Sequence, residues 1–226
     1  MKNRSLVVGI GITGVSIMRY LDRKNINFSV YNLTPAPEKI ESLQKTYPKT
    51  TFYVSSCDLI NWEEINQVIV SPGVSPKSQI IEEALSRSLP VIGDLELFAK
   101  EQTNKPTIAI TGTNGKSTLV TLIAILLEEL GIKVALAGNI GKPMLDTLDS
   151  DVDLWILELS SFQLHYQESF VATVSCILNI TQDHISWHGS FNHYKAAKHK
   201  IYHQKSLNIF NADDEETYPI SPLTGR

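Results

Sequence analysis

The stretch IAITGTNGKSTLVTLIAILLEEL, Ile108 to Leu130, decides how the larger part of this chain is read. PTIAIT, Pro106 to Thr111, is a short apolar run rich in β-branched residues, the pattern of a buried strand. KSTLVTLIAILLEELG then continues as a helix closed by Gly131. Gly112 and Gly115, with Thr113 and Asn114 between them, occupy the turn that joins the two. A strand that runs through a glycine turn into a helix aims free backbone N–H groups, and the positive end of the helix dipole, at one spot where a phosphate can sit. Lys116 adds a full charge there, and Ser117 or Thr118 offers a hydroxyl to Mg²⁺. The common phosphate loop is G-x-x-x-x-G-K-[ST], and counting back from Gly115-Lys116-Ser117 puts Ile110 where its first glycine belongs. The plain alternative is an ordinary glycine turn with Lys116 in solvent. The coincidence of glycine, lysine and hydroxyl at one strand-to-helix junction argues against it.

Outward from this loop, apolar runs alternate with helix-like segments along most of the chain. Before it come SLVVGI, the helical pattern Gly14 to Lys24, NFSVY, a proline-marked segment to Tyr47, TFYV, QVIVSPG and SQIIEEALSR. After it come KVALAG, LWILEL, TVSCILNI and SLNIFN. Such alternation predicts α/β architecture, parallel sheets with helices on their faces. The polar connector KEQTNKP suggests a boundary, giving a Rossmann-like domain over 1–102 and a phosphate-loop α/β domain over 103–226 that is cut short. At 226 residues the chain is long for one domain and short for two.

Composition excludes several classes. A net charge of −4 gives no electrostatic footprint for nucleic acid. No apolar run approaches the roughly 18 residues of a membrane helix, and the N-terminus lacks the apolar centre of a signal peptide, so a cytoplasmic protein without membrane partners is expected. Cys57 and Cys176 are far apart and read as free thiols.

In the first domain, Gly9-Ile10-Gly11-Ile12-Thr13-Gly14 fits the G-x-G-x-x-G dinucleotide turn between a strand and a helix. That fingerprint also needs an acid at the end of the second strand, and Asn32 stands there instead. The turn therefore suits a diphosphate better than a nicotinamide cofactor. Ser71-Pro72-Gly73 closes another strand of the same domain and either lines the same cleft or is a simple turn. In the second domain Glu158, at the end of LWIL, is placed to hold Mg²⁺ or is an incidental strand-end acid. His184, in Asp183-His184 after CILNI, reaches the cleft if the two strands are neighbours. Five of the six histidines lie between His184 and His203, but no metalloprotease motif or cysteine pair accompanies them, so zinc is not expected. Lys198, in YKAAKHKIY, reads on composition as a surface lysine.

Taken together, GIGITG, SPGV, GDLELF, AITGTNGKST, GNIG, LELSSFQL, LNITQDH and YKAAKHKIY, in that order, resemble the Mur ligases. The short G-x-x-G-K-[ST] loop of that family dispenses with the glycine missing at Ile110. LELSSFQL resembles the member that adds D-glutamate. The resemblance spans essentially the whole chain but only about the first half of such an enzyme, leaving out the C-terminal domain that carries most of the D-glutamate site. It implies an ATP-dependent, amide-forming ligase of peptidoglycan precursor synthesis, monomeric, acting on UDP-N-acetylmuramoyl-L-alanine and D-glutamate with two Mg²⁺ ions.

Residue by residue, the resemblance implies that Gly112 to Thr118 hold ATP. Lys116 would lie on the β- and γ-phosphates, and the N–H groups of Asn114 and Gly115 around them. Ser117 and Glu158 would bind one Mg²⁺, His184 and Lys198 a second, Lys198 as a carbamate. Gly11, Ile12 and Thr13 would contact the UDP portion, Ser71, Pro72 and Gly73 the diphosphate, and Asn139, Ser160 and His184 the rest of the substrate. Asn32, Leu33 and Thr34 depart from the aspartate and arginine that usually frame the uracil, and Gln182 from an acid that often precedes the Asp-His pair. The rivals are a folylpolyglutamate synthetase, another amino-acid-adding Mur enzyme, an NAD-dependent oxidoreductase, and a UDP-substrate binder without turnover.

Overall fold

The computed structural model describes residues 3–101 and 105–219. The chain divides into two compact units, Met1–Asp94 and Leu95–Arg226. The central part of the KEQTNKP connector and the end of the polar tail lie outside the described residues.

The first unit is built on five parallel strands, β1 (Arg4–Val8), β2 (Phe28–Asn32), β3 (Phe52–Val54), β4 (Ile65–Val70) and β5 (Val91–Gly93), in the order β3-β2-β1-β4-β5. Leu6, Val7, Val30, Val68, Ile69 and Val70 are fully buried, the pattern expected of parallel strands covered on both faces. Between the strands run α1 (Ile12–Arg23), α2 (Pro37–Thr46) and α3 (Gln79–Ser86). Helix α1 seals one face through Ile17, Met18 and Leu21. It comes close enough only because residue 14 is glycine, since a Cβ there would stand 2.0 Å from the Gly9 carbonyl oxygen.

In the second unit, α4 (Asp94–Glu101) leads into β6 (Thr107–Thr111), α5 (Lys116–Glu129), β7 (Val134–Gly138) and β8 (Leu154–Glu158). Then follow α6 (Ser161–His165), β9 (Val174–Ile177), α7 (Ile185–His188), α8 (Phe191–His199) and β10 (Leu207–Phe210). The sheet is again parallel, in the order β10-β9-β6-β8-β7. Val120 and Ala124 of α5 pack on Ile110, Ile156 and Cys176, while Phe98 of α4 meets Trp155 edge to face at 5.4 Å. The outer side of α5 carries Leu122, Ile125, Leu126 and Leu130, all exposed among the described residues. No helix among the described residues is long and apolar enough to cross a membrane.

Both sheets place their first strand centrally, β1 between β2 and β4, and β6 between β8 and β9. The connections leave that strand in opposite directions, so the carboxyl end of each central strand is a switch point where an open parallel sheet receives ligands. The two glycine turns stand at these two points.

A buried carboxylate fastens α4. Glu96 accepts hydrogen bonds from the Glu168 N–H at 2.9 Å, the Ser169 N–H at 2.9 Å and the Ser169 hydroxyl at 2.8 Å. Burial pushes its pKa up, but these donors prevail and hold it below the usual carboxylate range. Its stabilisation is therefore present at neutral pH and is lost as pH falls from the ordinary carboxylate range through the lower folded-state value. Glu96→Gln is expected to cost about 1–2 kcal/mol at pH 7, with the difference from the unaltered chain shrinking towards pH 3. Urea unfolding at both pH values measures it; a cost independent of pH would mean that the carboxylate charge is irrelevant.

Candidate functional site

The position that breaks the longer loop pattern, Ile110, lies inside β6 in register with Glu158 of β8 and Cys176 of β9. The loop proper therefore begins two residues later, at Gly112, and a glycine has no role at 110. Gly115 takes a left-handed conformation, φ +83°, and caps α5 without any side-chain cap. The N–H groups of Lys116, Ser117 and Thr118 in the first turn have no intrahelical acceptor. Lys116 curls back over the loop, its Nζ donating to the carbonyls of Gly112 and Thr113, each at 2.9 Å. The N–H of Asn114, expected to face a phosphate, instead donates to Asn179 Oδ1 at 2.9 Å.

At the adjoining end of β8, the Glu158 carboxylate is 1% exposed yet fully engaged. It accepts from the Ser117 hydroxyl and the Asn139 amide, both at 2.8 Å. The structure thus brings together Ser117, Glu158 and Asn139 from three separate segments. The carboxylate at the end of β8 and the hydroxyl in the first turn of α5 are oxygen donors of the kind a hard divalent cation takes. Among the described residues no three His, Cys, Asp or Glu side chains converge, so a cation here would rely on such mixed donors.

Lys198 corrects the compositional reading outright. It is 2% exposed, and its Nζ donates to the Gly112 carbonyl at 2.8 Å and the Thr111 hydroxyl at 3.3 Å. Two lysines therefore share the Gly112 carbonyl oxygen. Burial first, and the Lys116 ammonium second, bring the Lys198 pKa down to about 7 against the opposing pull of Asp183 and Glu158. The Tyr194 ring lies 4.8 Å from its Nζ, and the Tyr194 hydroxyl is 2.9 Å from Thr113 Oγ1.

His184 has a left-handed backbone, φ +51°, unusual for a residue with a side chain, and its ring rests on Phe162 at 4.7 Å. It is half exposed beside Asp183, Nε2 to Oδ2 3.4 Å. His188, four residues on, is buried, with Nε2 3.0 Å from the Ser161 hydroxyl. Burial, with nearby His165, His184 and Lys198, lowers its pKa to about 4, so it is a neutral core ring. The Ser160 hydroxyl is committed to capping α6 in a reciprocal box with Gln163. Thr118 is exposed in the first turn of α5.

The first unit holds a cavity of 570 Å³ at its own switch point, with Gly9, Asn32, Leu33, Thr34, Ser71 and Gly73 in its lining. Gly11, Ile12, Thr13 and Pro72 are outside that lining. A Cβ on Gly11 or Gly73 would meet nothing within 4 Å, so both present bare backbone to open space. Asn32 Oδ1 accepts from the Ile10 N–H at 3.2 Å, and its Nδ2 donates to the Thr34 carbonyl at 2.6 Å. The residue that replaces an acid thus ties the glycine turn to the end of β2.

Comparison with known proteins matches both units. A family model described as "Mur ligase MurD-like, N-terminal domain" covers residues 3–93, and one described as "Mur ligase middle domain" covers residues 110–221. The UDP-N-acetylmuramoylalanine–D-glutamate ligase of Shewanella oneidensis is 40% identical over 220 residues, 96% of this chain and 50% of that protein. The ligase of the same name from Legionella pneumophila strain Paris is 40% identical over 95% of this chain and 48% of its own length. The chain spans about half the length of the curated relatives it matches. Among solved structures, a UDP-N-acetylmuramate–alanine ligase from Thermotoga maritima shares the fold with a TM-score of 0.55 at 23% identity, over 95% of this chain and 50% of that one. A UDP-N-acetylmuramate:L-alanyl-γ-D-glutamyl-meso-diaminopimelate ligase from Neisseria meningitides gives 0.58 at 14% identity, over 96% and 73%.

Proposed function

The chain belongs to the Mur ligases, of which it carries the N-terminal and middle domains, and we propose that it serves the ATP-dependent joining of D-glutamate to UDP-N-acetylmuramoyl-L-alanine in cytoplasmic peptidoglycan precursor synthesis. The observation that carries this reading is Lys198, a lysine buried against the Gly112 carbonyl of a loop 86 residues earlier. An amine held partly neutral at the edge of a phosphate loop suits uptake of CO₂ and conversion into an oxygen ligand.

In the reaction, the alanine carboxylate oxygen bonds to the γ-phosphorus of ATP as the bond to ADP breaks, giving an acyl phosphate. The D-glutamate amine, having lost a proton, then bonds to that carbonyl carbon and phosphate leaves. Two Mg²⁺ ions, one held by Ser117 and Glu158 and one by His184 and carbamylated Lys198, would supply neutralising charge where anion approaches anion. Lys116 leaves the Gly112 and Thr113 carbonyls to lie on the β- and γ-phosphates. The first-turn N–H groups of α5, Gly115 and the Thr118 hydroxyl face the same phosphates. In the first unit, Gly11, Ile12, Thr13 and Asn32 take the UDP portion and Ser71, Pro72 and Gly73 the diphosphate, with Asn139 and Ser160 towards the muramoyl end. The protein acts as a monomer, and most of the D-glutamate site belongs to a domain beyond these two.

This 226-residue chain is expected to bind UDP-N-acetylmuramoyl-L-alanine, to ignore NADH and folate in the same titration, and to form no dipeptide product. Calorimetry and incorporation of radiolabelled D-glutamate measure the two halves. Binding of NADH in place of the UDP ligand would return the first glycine turn to a nicotinamide reading, and steady incorporation would show that these two units suffice for ligation.

A further inference from the structure

Asn179, two residues past the end of β9, is bonded to the phosphate loop through both its side chain and its backbone. Its Oδ1 accepts from the N–H groups of Thr113 at 3.1 Å and Asn114 at 2.9 Å. Its Nδ2 donates to the Asn114 carbonyl at 3.1 Å, and its own carbonyl accepts from the Thr113 N–H at 2.9 Å. A carboxamide has the donor and acceptor set of a peptide group, so Asn179 pairs with the loop as a further strand would. Two residues on, the Thr181 N–H donates to Thr113 Oγ1 at 3.0 Å. The segment that follows β9 therefore grips residues 113 and 114 from one side.

The grip decides which donors the loop can offer. With the N–H groups of Thr113 and Asn114 turned to Asn179, anion donors begin at the first turn of α5, whose N–H groups lack intrahelical acceptors. Gly112 fits against the same segment, since a Cβ there would stand 3.1 Å from the Leu178 Cβ.

We propose that Asn179 is a positioning residue for the nucleotide: its neutral carboxamide holds the short loop in the shape that presents the α5 N-terminus to phosphate. This rests on the phosphate-loop reading above. Neutrality is part of the role. An aspartate at 179 keeps the acceptor for the two N–H groups but loses the donor to Asn114 and sets a negative charge beside the phosphates.

The test uses the present chain with Asn179→Ala and Asn179→Asp, reading amide hydrogen exchange at Thr113 and Asn114, with Ile110 as the internal control, and MgATP affinity by calorimetry. In Asn179→Ala the Asn114 amide is expected to exchange at least about tenfold faster, Thr113 less so because it keeps the residue-179 carbonyl as acceptor, and MgATP binding to weaken at least about tenfold, while Ile110 is unchanged. In Asn179→Asp the amides stay protected, yet MgATP binding weakens as much; a role confined to stability would not separate the two readings in this way. Unchanged exchange at both amides in Asn179→Ala, or MgATP affinity within twofold in both variants, overturns the proposal. If the unaltered chain binds no MgATP while the exchange still depends on Asn179, the loop is shaped as described but the phosphate-loop reading is what fails.

Discussion

Lys116→Ala is expected to weaken MgATP binding to this chain by about 10- to 150-fold, the equivalent of losing a charge-assisted contact of about 1.5–3 kcal/mol. Binding of UDP-N-acetylmuramoyl-L-alanine is expected to stay within twofold, because its UDP and diphosphate contacts are proposed in the first unit and Lys116 is not among its proposed contacts. The Lys116 ammonium holds the carbonyls of Gly112 and Thr113, residues that Lys198 and Asn179 also hold. The substitution therefore removes a phosphate contact at small cost to the loop. Calorimetry with each ligand in turn decides it. Equal loss of both ligands would mean that the two sites are not separate, and unchanged MgATP affinity would leave Lys116 only its bonds to the loop carbonyls.

What could be read in advance follows from which interactions are local. Strands β1, β2, β4, β6, β8 and β9 announce themselves as apolar runs, because parallel strands buried on both faces admit little else, and β3, β7 and β10 as apolar runs that the fold leaves partly exposed. Strand β5 did not, since three residues, Val91–Gly93, run straight into α4 without a turn residue between. The glycine turns and Glu158 were legible because a strand end at a switch point is a local feature. Lys198 was not: its partners, Gly112 and Thr111, lie 86 and 87 positions away, and only the resemblance singled it out. Asn179 follows an apolar run like many loop asparagines, and its importance appears only once β9 is known to pair with β6. The histidines crowded between His184 and His203, for which no zinc was expected, part company in the fold: His188 turns inward to Ser161, whereas His184 lies half exposed beside Asp183.

Lys198→Met is expected to stabilise the chain at pH 6 by about 2–4 kcal/mol in CO₂-free buffer, a large gain for one substitution. A buried cation costs desolvation, and the Lys198 ammonium has the Lys116 ammonium as a second unfavourable influence. The folded-state pKa, about 7, lies below the ordinary lysine value of 10.5, so between these limits the unfolded chain binds more protons than the folded one. The cost of keeping lysine is thus complete below about pH 7 and fades as pH rises towards 10.5. The advantage of methionine, which fills a similar volume without a charge, should fade over the same range. Lys116→Ala removes one cause of the depression, so in that background the Lys198 pKa should rise and the gain from methionine at pH 6 should shrink. Urea unfolding at pH 6 and pH 10 on the two single variants and the double variant reads both effects. A methionine variant less stable than the unaltered chain at pH 6 would mean that the bonds to Gly112 and Thr111 outweigh the burial of the charge. In that case Lys198 would be held as an ammonium, and an amine so held could not take up CO₂ at neutral pH, which removes the chemical basis for a carbamate at this position.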